Sequence, residues 1–203
     1  MEKPAATDYP IEEILRRRWS PRAFSDRIVE PEKLRSLWEA ARWAASSFNE
    51  QPWSFIVATR QQPEEHARLL SCLVEKNQQW ARQAPVLMVS VARLNFEKTG
   101  KPNRHAFHDV GLAVGNMIVQ ATALGLFVHQ MAGFSPEKVR EIYGVPEGHE
   151  PVAAIALGYG ADVDGLPEPF RGPELAARTR KPIENFIFQG SWGQTSPLVK
   201  ERR

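Results

Sequence analysis

Apolar positions recur along the chain with two periods, about 3.6 and 2, and the switches between them divide it into helices, strands and loops. Between Pro10 and Trp19, Ile11, Ile14, Leu15 and Arg18 share one stripe at helical spacing, while Arg16 and Arg17 point elsewhere. The pattern predicts a first helix that turns Arg18 inward, with Asp8 near its start. Ser20-Pro21-Arg22 breaks it, and Pro31 opens a second helix whose stripe is Leu34, Leu37, Trp38, Ala41 and Ala45. Trp53 to Ala58 reads as a short strand. Pro63 starts a third helix carrying Leu69, Leu70 and Leu73, with a continuation through Trp80 left open.

Val86 to Val91 is an uncharged run read as a buried strand, and the polar stretch from Leu94 to Arg104, with Gly100 and Pro102, reads as a loop with room for a lid. A central helix follows over His105 to Leu124, with Gly125 where helices commonly stop. Leu126 to Gln130 is a candidate strand. Ser135-Pro136-Glu137 starts a helix that Tyr143-Gly144 ends, and Val152 to Leu157 is a further strand. Gly158 to Pro182 is rich in glycine and proline and reads as an arm over a surface. Ile183 to Phe188 is apolar again and has to pair or pack somewhere. Strands mixed with helices, without βαβ alternation, indicate an α+β layered fold. The 203 residues are read as one domain, 1–203, with the arm from about residue 158 onward.

Composition narrows the classes. Apolar residues make up 42% and charged ones 25%, as in a folded chain, and 26 basic against 24 acidic residues leave a formal charge of +2, too little to argue for nucleic acid. The stretch from Val110 to Val128 carries no charge, but Asn116, Gln120, Thr122 and three glycines interrupt it, which favours a buried helix over a membrane span. Met1 to Pro10 lacks a secretory pattern, and the single cysteine, Cys72, excludes an intramolecular disulfide, so the cytoplasm is the expected location. Neither G-x-G-x-x-G after a strand nor G-x-x-x-x-G-K-[ST] is present.

The candidate chemistry lies in three places. An inward Arg18 needs an anionic partner, and Ser20 and Arg22 beside it complete a donor set suited to phosphate; a core carboxylate or the helix C-terminus would satisfy Arg18 equally. Arg178-Thr179-Arg180-Lys181 places more cations before an apolar run, either converging on the same anion or forming a solvated turn. Ser46 to Trp53 gathers hydroxyls and the amides of Asn49 and Gln51, which suit the mixed edge of a flavin or purine ring as well as an ordinary capped loop. His105, His108 and Asp109 lack a third ligand set for a metal, Asp162 to Gly165 reads as a turn, and Cys72 as core; no metal site is expected.

Arg18-Trp19-Ser20-Pro21-Arg22-Ala23-Phe24, Ser46 to Trp53, Gly133-Phe134, Leu157-Gly158-Tyr159 and Arg178-Thr179-Arg180-Lys181-Pro182 together resemble the nitroreductase family in order and spacing, across about Ile11 to Phe188. The resemblance implies a three-layer fold with a central mixed or antiparallel sheet flanked by helices, a long C-terminal arm, and a homodimer with FMN at the subunit interface. It implies that Arg18, Ser20 and Arg22 hold the FMN phosphate and ribityl chain, with the Trp19 backbone nearby, and that Arg178 and Arg180 complete the phosphate cage. Ser46, Asn49 and Gln51, with Ala45 and Phe48 beside them, would reach the flavin from the partner subunit. Met131, Ala132 and Gly133 would lie against the reactive edge of the ring, with Ala132 where some relatives carry an acid. Asn77 matches a ring-contacting asparagine.

The activity so implied is reduction of nitroaromatics, quinones or similar electron-poor substrates by NADH or NADPH, through ping-pong hydride transfer at flavin N5. The protein then supplies orientation, a stacking slot and hydrogen-bond donors, and no side chain acts as catalyst. Substrate choice is expected around Leu94 to Arg104 and Phe107. The alternatives are dehalogenation or flavin breakdown on the same fold, or a non-catalytic flavin-binding module.

Overall fold

In a computed structural model, which describes residues 2–199, four strands form one sheet in the order β1-β2-β4-β3, antiparallel throughout. They are β1 (Trp53–Thr59), β2 (Val86–Arg93), β3 (Phe127–Met131) and β4 (His149–Gly158). Of the two sheet types anticipated, the antiparallel one is found, because every neighbouring pair runs in opposite directions. Buried residues alternate between the two faces of β2. Val86 and Met88 join one core, packed under the helices α2 (Pro31–Arg42) and α5 (Ala106–Ala123), while Leu87 and Val89 join the other. That second core lies beneath α3 (Pro63–Ser71), α4 (Glu75–Ala81) and α6 (Pro136–Tyr143). Cover on both faces explains why β2 reads as an unbroken uncharged run. Each fully buried side chain, such as Leu37 or Leu87, adds about 1.5–3 kcal/mol of apolar burial.

Helix α6 is built as its sequence indicates. The Ser135 hydroxyl accepts the Lys138 N–H at 3.1 Å, and Gly144 ends the helix at φ 63°. No helix among the described residues is long and apolar enough to cross a membrane.

Three local expectations are corrected, and the extent of the third helix, left open by the sequence, is fixed. The first helix, α1 (Glu13–Arg17), is shorter than Pro10 to Trp19, and its stripe is not covered by this chain: Ile11 is 46% and Leu15 45% exposed. The backbone turns extended at Arg18 so that Trp19 can bury itself edge-on against Phe127, ring centroids 6.1 Å apart. Ala45 is not on the core face of α2, which ends at Arg42; Ala44 takes the buried place. The third helix does not continue to Trp80. Leu73 forms a β-bridge with Phe134 and the Val74 N–H donates to the Gly133 carbonyl, which pulls the backbone straight before α4 begins. The glycine- and proline-rich arm contains a helix, α7 (Glu168–Leu175), whose Phe170 and Glu174 are buried. Beyond it, Ile183 to Phe188 becomes a short 3-10 turn and a bridge from Phe188 to Thr195, leaving Phe186 and Trp192 exposed.

Candidate functional site: an arginine-lined cleft and a strained loop

The two ends of the chain meet in a cleft of about 220 Å³ lined by Arg18, Ser20, Arg22, Glu174, Arg178 and Arg180, with Trp19 and Lys3 at its edge. Arg18 arrives here because α1 stops one residue before it, and Arg178 because its guanidinium donates to the carbonyls of Lys3 (2.6 Å) and Arg16 (3.1 Å). Arg18 Nη1 also donates to the Ser20 hydroxyl at 3.3 Å.

Positive charge is concentrated in the cleft. The Arg18 guanidinium is held below its ordinary pKa by burial first and then by the charges of Arg178 and Arg180. Arg178 is lowered likewise, by burial and by Arg180. Glu174 faces Arg22, at 3.7 Å, and does not relieve the repulsion among the other three. A phosphate placed among them would remove the like-charge penalty and accept several charge-assisted hydrogen bonds at once. Trp19 Nε1 is buried and has no hydrogen-bond partner among the described residues.

From the cleft, β3 leads away toward the segment Met131, Ala132 and Gly133. Phe127, at its start, packs on Trp19; Met131, four residues on, lies about 13 Å further at strand rise. Gly133 lets two side chains close in, since a Cβ there would sit 2.6 Å from Asn77 Nδ2 and 2.9 Å from Val74 Cγ2 and one of them would have to move. Its carbonyl accepts from Asn77 Nδ2 (3.0 Å) and the Val74 N–H (3.1 Å), while its own N–H finds no acceptor among the described residues. Asn77 is engaged on both sides, because its Oδ1 accepts from Trp80 Nε1 at 3.3 Å. In this structure Asn77 shapes the turn at Gly133.

The loop before β1 holds Ser46, Phe48, Asn49 and Gln51. Phe48, Asn49 and Gln51 all have positive φ, of 54°, 57° and 49°, an arrangement costing on the order of 1–2 kcal/mol per residue. Buried Asp109 accepts the Ser47 N–H at 2.9 Å, the Ser46 hydroxyl accepts the Gln51 N–H at 3.0 Å, and Glu50 pairs with Arg93 at 2.9 Å. Strain so firmly held is a mark of functional loops. This loop borders a different cleft, of about 780 Å³, with Arg93, Lys98 and His149. It sits at the Trp53/Ala92 end of the sheet, whereas the arginine cleft adjoins Phe127, paired with Gly158 at the other end. A seven-residue strand lies between, about 20 Å. Within one chain, Asn49 and Gln51 do not line the arginine cleft.

Sequence reasoning missed Glu174, Lys3 and the anchoring use of Asp109. Glu174 and Lys3 lie in segments without periodicity, and Asp109 was weighed only as a metal ligand.

A solved structure described as an oxidoreductase containing FMN superposes on this chain with a TM-score of 0.88 at 30% identity, covering 94% of this chain and 96% of that one. An FMN-dependent nitroreductase from Clostridium difficile R20291 gives a TM-score of 0.63 at 27% identity, over 73% of this chain and 87% of its own. The FMN reductase [NAD(P)H] of Bacillus subtilis is 28% identical over 160 residues, 70% of this chain and 63% of the reductase. The sequence pattern described as the Nitroreductase family matches residues 15–159, spanning the arginine cleft's first half, the strained loop and all four strands. The chain therefore belongs to the nitroreductase family of oxidoreductases.

Proposed function

We propose that the protein binds FMN and uses NADH or NADPH to reduce nitroaromatic, quinone or similar electron-poor organic substrates. The carrying observation is the convergence of Arg18, Arg178 and Arg180, from opposite ends of the chain, on one cleft in which burial and the charges of the other two depress the proton affinity of Arg18. Arg18, Ser20, Arg22, Arg178 and Arg180 would hold the phosphate end. Met131, Ala132 and Gly133 would border the ring, with the free Gly133 N–H as donor. When bound, FMN supplies a two-electron carrier that takes a hydride from the nicotinamide and gives it to the second substrate. The chain's own residues fix orientation and exclude water, and the exposed Phe107 and the loop from Leu94 to Arg104 would contact the substrate.

The site as proposed is completed by a second copy. Asn49 and Gln51 stand about 20 Å from the arginine cleft in their own chain, so they reach a flavin there only from a partner. Apolar surface available for that contact exists on α5, where Phe107, Leu112 and Val119 are exposed and Gly111 and Gly115 face open space, and at Ile11, just before α1, and Leu15 on it. In this reading all 203 residues work as one FMN-binding domain with residues 158–203 as its arm, and buried, single Cys72 suits the reducing cytoplasm.

The test is spectroscopic. Protein reconstituted with FMN should be yellow, bleach with NADPH under anaerobic conditions and recolour on addition of a quinone. Flavin that stays oxidised would leave a binding module without the reductase activity, and failure to take up FMN would remove the cofactor assignment.

A further inference from the structure

Glu174 is a buried carboxylate to which neither the sequence pattern nor the relatives' names give a task. It is 2% exposed and sits in the last turn of α7. Its Oε1 accepts two consecutive backbone donors from the other end of the chain, the Arg22 N–H at 2.8 Å and the Ala23 N–H at 3.2 Å. Its Oε2 has no hydrogen-bond partner among the described residues, and the Arg22 guanidinium stands 3.7 Å from it. The carboxylate therefore commits one oxygen to the loop backbone and turns the other toward the Arg22 side chain.

The helix that carries Glu174 is itself fixed. Lys3 Nζ donates to the carbonyls of Glu174 (2.6 Å) and Ala176 (2.5 Å), where a cation is favoured at a helix C-terminus. Arg171 ties the same helix to the carbonyls of Leu166 and Asp164. From β3, His129 Nδ1 donates to the Pro21 carbonyl at 2.8 Å. The segment from Pro21 to Ala23 is thus held through its backbone by two elements, α7 and β3. Its outward groups, the Ser20 hydroxyl and the Arg22 guanidinium, line the cleft.

We propose that Glu174 is a positioning residue for phosphate recognition: the reach of Oε1 to the Arg22 and Ala23 N–H groups, and not the carboxylate's charge, sets the loop geometry that lets the cleft prefer FMN over riboflavin. The proposal rests on the FMN reading above. Reach and charge are separable by substitution. Glu174→Gln keeps the length and an acceptor oxygen but removes the charge, and the atom it alters, Oε2, makes no hydrogen bond. Glu174→Asp keeps the charge but withdraws the oxygen by one methylene.

The experiment measures dissociation constants for FMN and for riboflavin by flavin fluorescence on the apo forms of the wild type and both variants, with apo melting temperatures alongside. The Gln variant should keep the wild-type FMN-to-riboflavin preference within about threefold, and the Asp variant should lose at least about tenfold in FMN affinity with riboflavin binding unchanged. A Gln variant that falls as far as Asp assigns the effect to charge and overturns the proposal, as does a pair of variants that both keep the preference. Should the Asp variant fail to fold, the Gln ratio alone decides, since a departure beyond threefold contradicts a role through reach. A wild type that binds FMN no better than riboflavin overturns the cofactor reading and this inference with it; a discriminating wild type with the wrong variant pattern overturns the inference alone.

Discussion

Arg178 stands close enough to Arg18, in the cleft they share, to help hold the Arg18 guanidinium below its ordinary pKa, and only burial contributes more. Two like charges are kept together by hydrogen bonds that have nothing to do with relieving them: Arg178 is tethered to the carbonyls of Lys3 and Arg16. The folded chain holds these charges together, and an anion bound between them, as proposed for the FMN phosphate, would relieve the repulsion.

Arg18→Ala should therefore weaken FMN binding without weakening the apo fold. Losing charge-assisted hydrogen bonds to a phosphate corresponds to about 1.5–3 kcal/mol, or roughly tenfold to a hundredfold in Kd. The apo melting temperature should hold or rise, because a repulsive charge has gone. Wild-type-like FMN affinity in this variant, measured by fluorescence titration, refutes the phosphate assignment.

Leu112→Asp places a charge on the open face of α5, where the side chain is already 39% exposed and the single chain tolerates it. If that face meets a second copy, sedimentation at low micromolar concentration should show a dimer for the wild type and a monomer for the variant, with FMN content falling in parallel. A variant that remains dimeric and yellow assigns the interface elsewhere.

Gln51 sits at φ 49°, which favours glycine. Gln51→Gly should remove about 1–2 kcal/mol of strain and add about 0.5–1 kcal/mol of backbone entropy cost, a net stabilisation of at most about 1.5 kcal/mol. The same change deletes an amide proposed to reach the flavin, so turnover should drop as the melting temperature rises. An unchanged reduction rate shows the strain to be unrelated to activity.

His129 supplies a pH dependence. Burial pushes its pKa from 6.5 down to about 4, with the Pro21 carbonyl opposing and Arg22 reinforcing the shift. A depressed histidine leaves stability intact above the unfolded value; as pH falls from 6.5 the unfolded chain takes up a proton that the folded chain refuses. Stability should decline by about 3 kcal/mol between pH 6.5 and 4 and level off below. His129→Gln should flatten that limb of the melting-temperature profile; a variant profile parallel to the wild type removes His129 as the cause.

Strands were legible where both faces are covered, as at Val86 to Val91, because burial leaves no polar alternation to confuse. Helix α6 was legible because Ser135 and Gly144 mark its ends with caps that act locally. Tertiary contacts overrode local pattern elsewhere: Trp19 cut α1 short, and the Leu73 to Phe134 bridge split α3 from α4. Helix α7 was hidden by Gly172 and Pro173 in its last turns, and with it Glu174, which looks from sequence like a solvated acid. For the site, the arginines were expected together on the strength of family resemblance, since spacing alone left Arg178 to Lys181 open to being a surface turn. That Asn49 and Gln51 lie at the far end of the sheet depends on strand register, which no local pattern encodes.

Because Lys3, Arg16 and Arg178 are joined by direct hydrogen bonds, the phosphate-sized cleft has no existence in a nascent polypeptide that has not yet been translated past Arg180. On the proposed FMN reading, flavin would load only after that point in synthesis, and prematurely terminated chains, even those carrying the whole sheet, would leave the cellular flavin pool untouched.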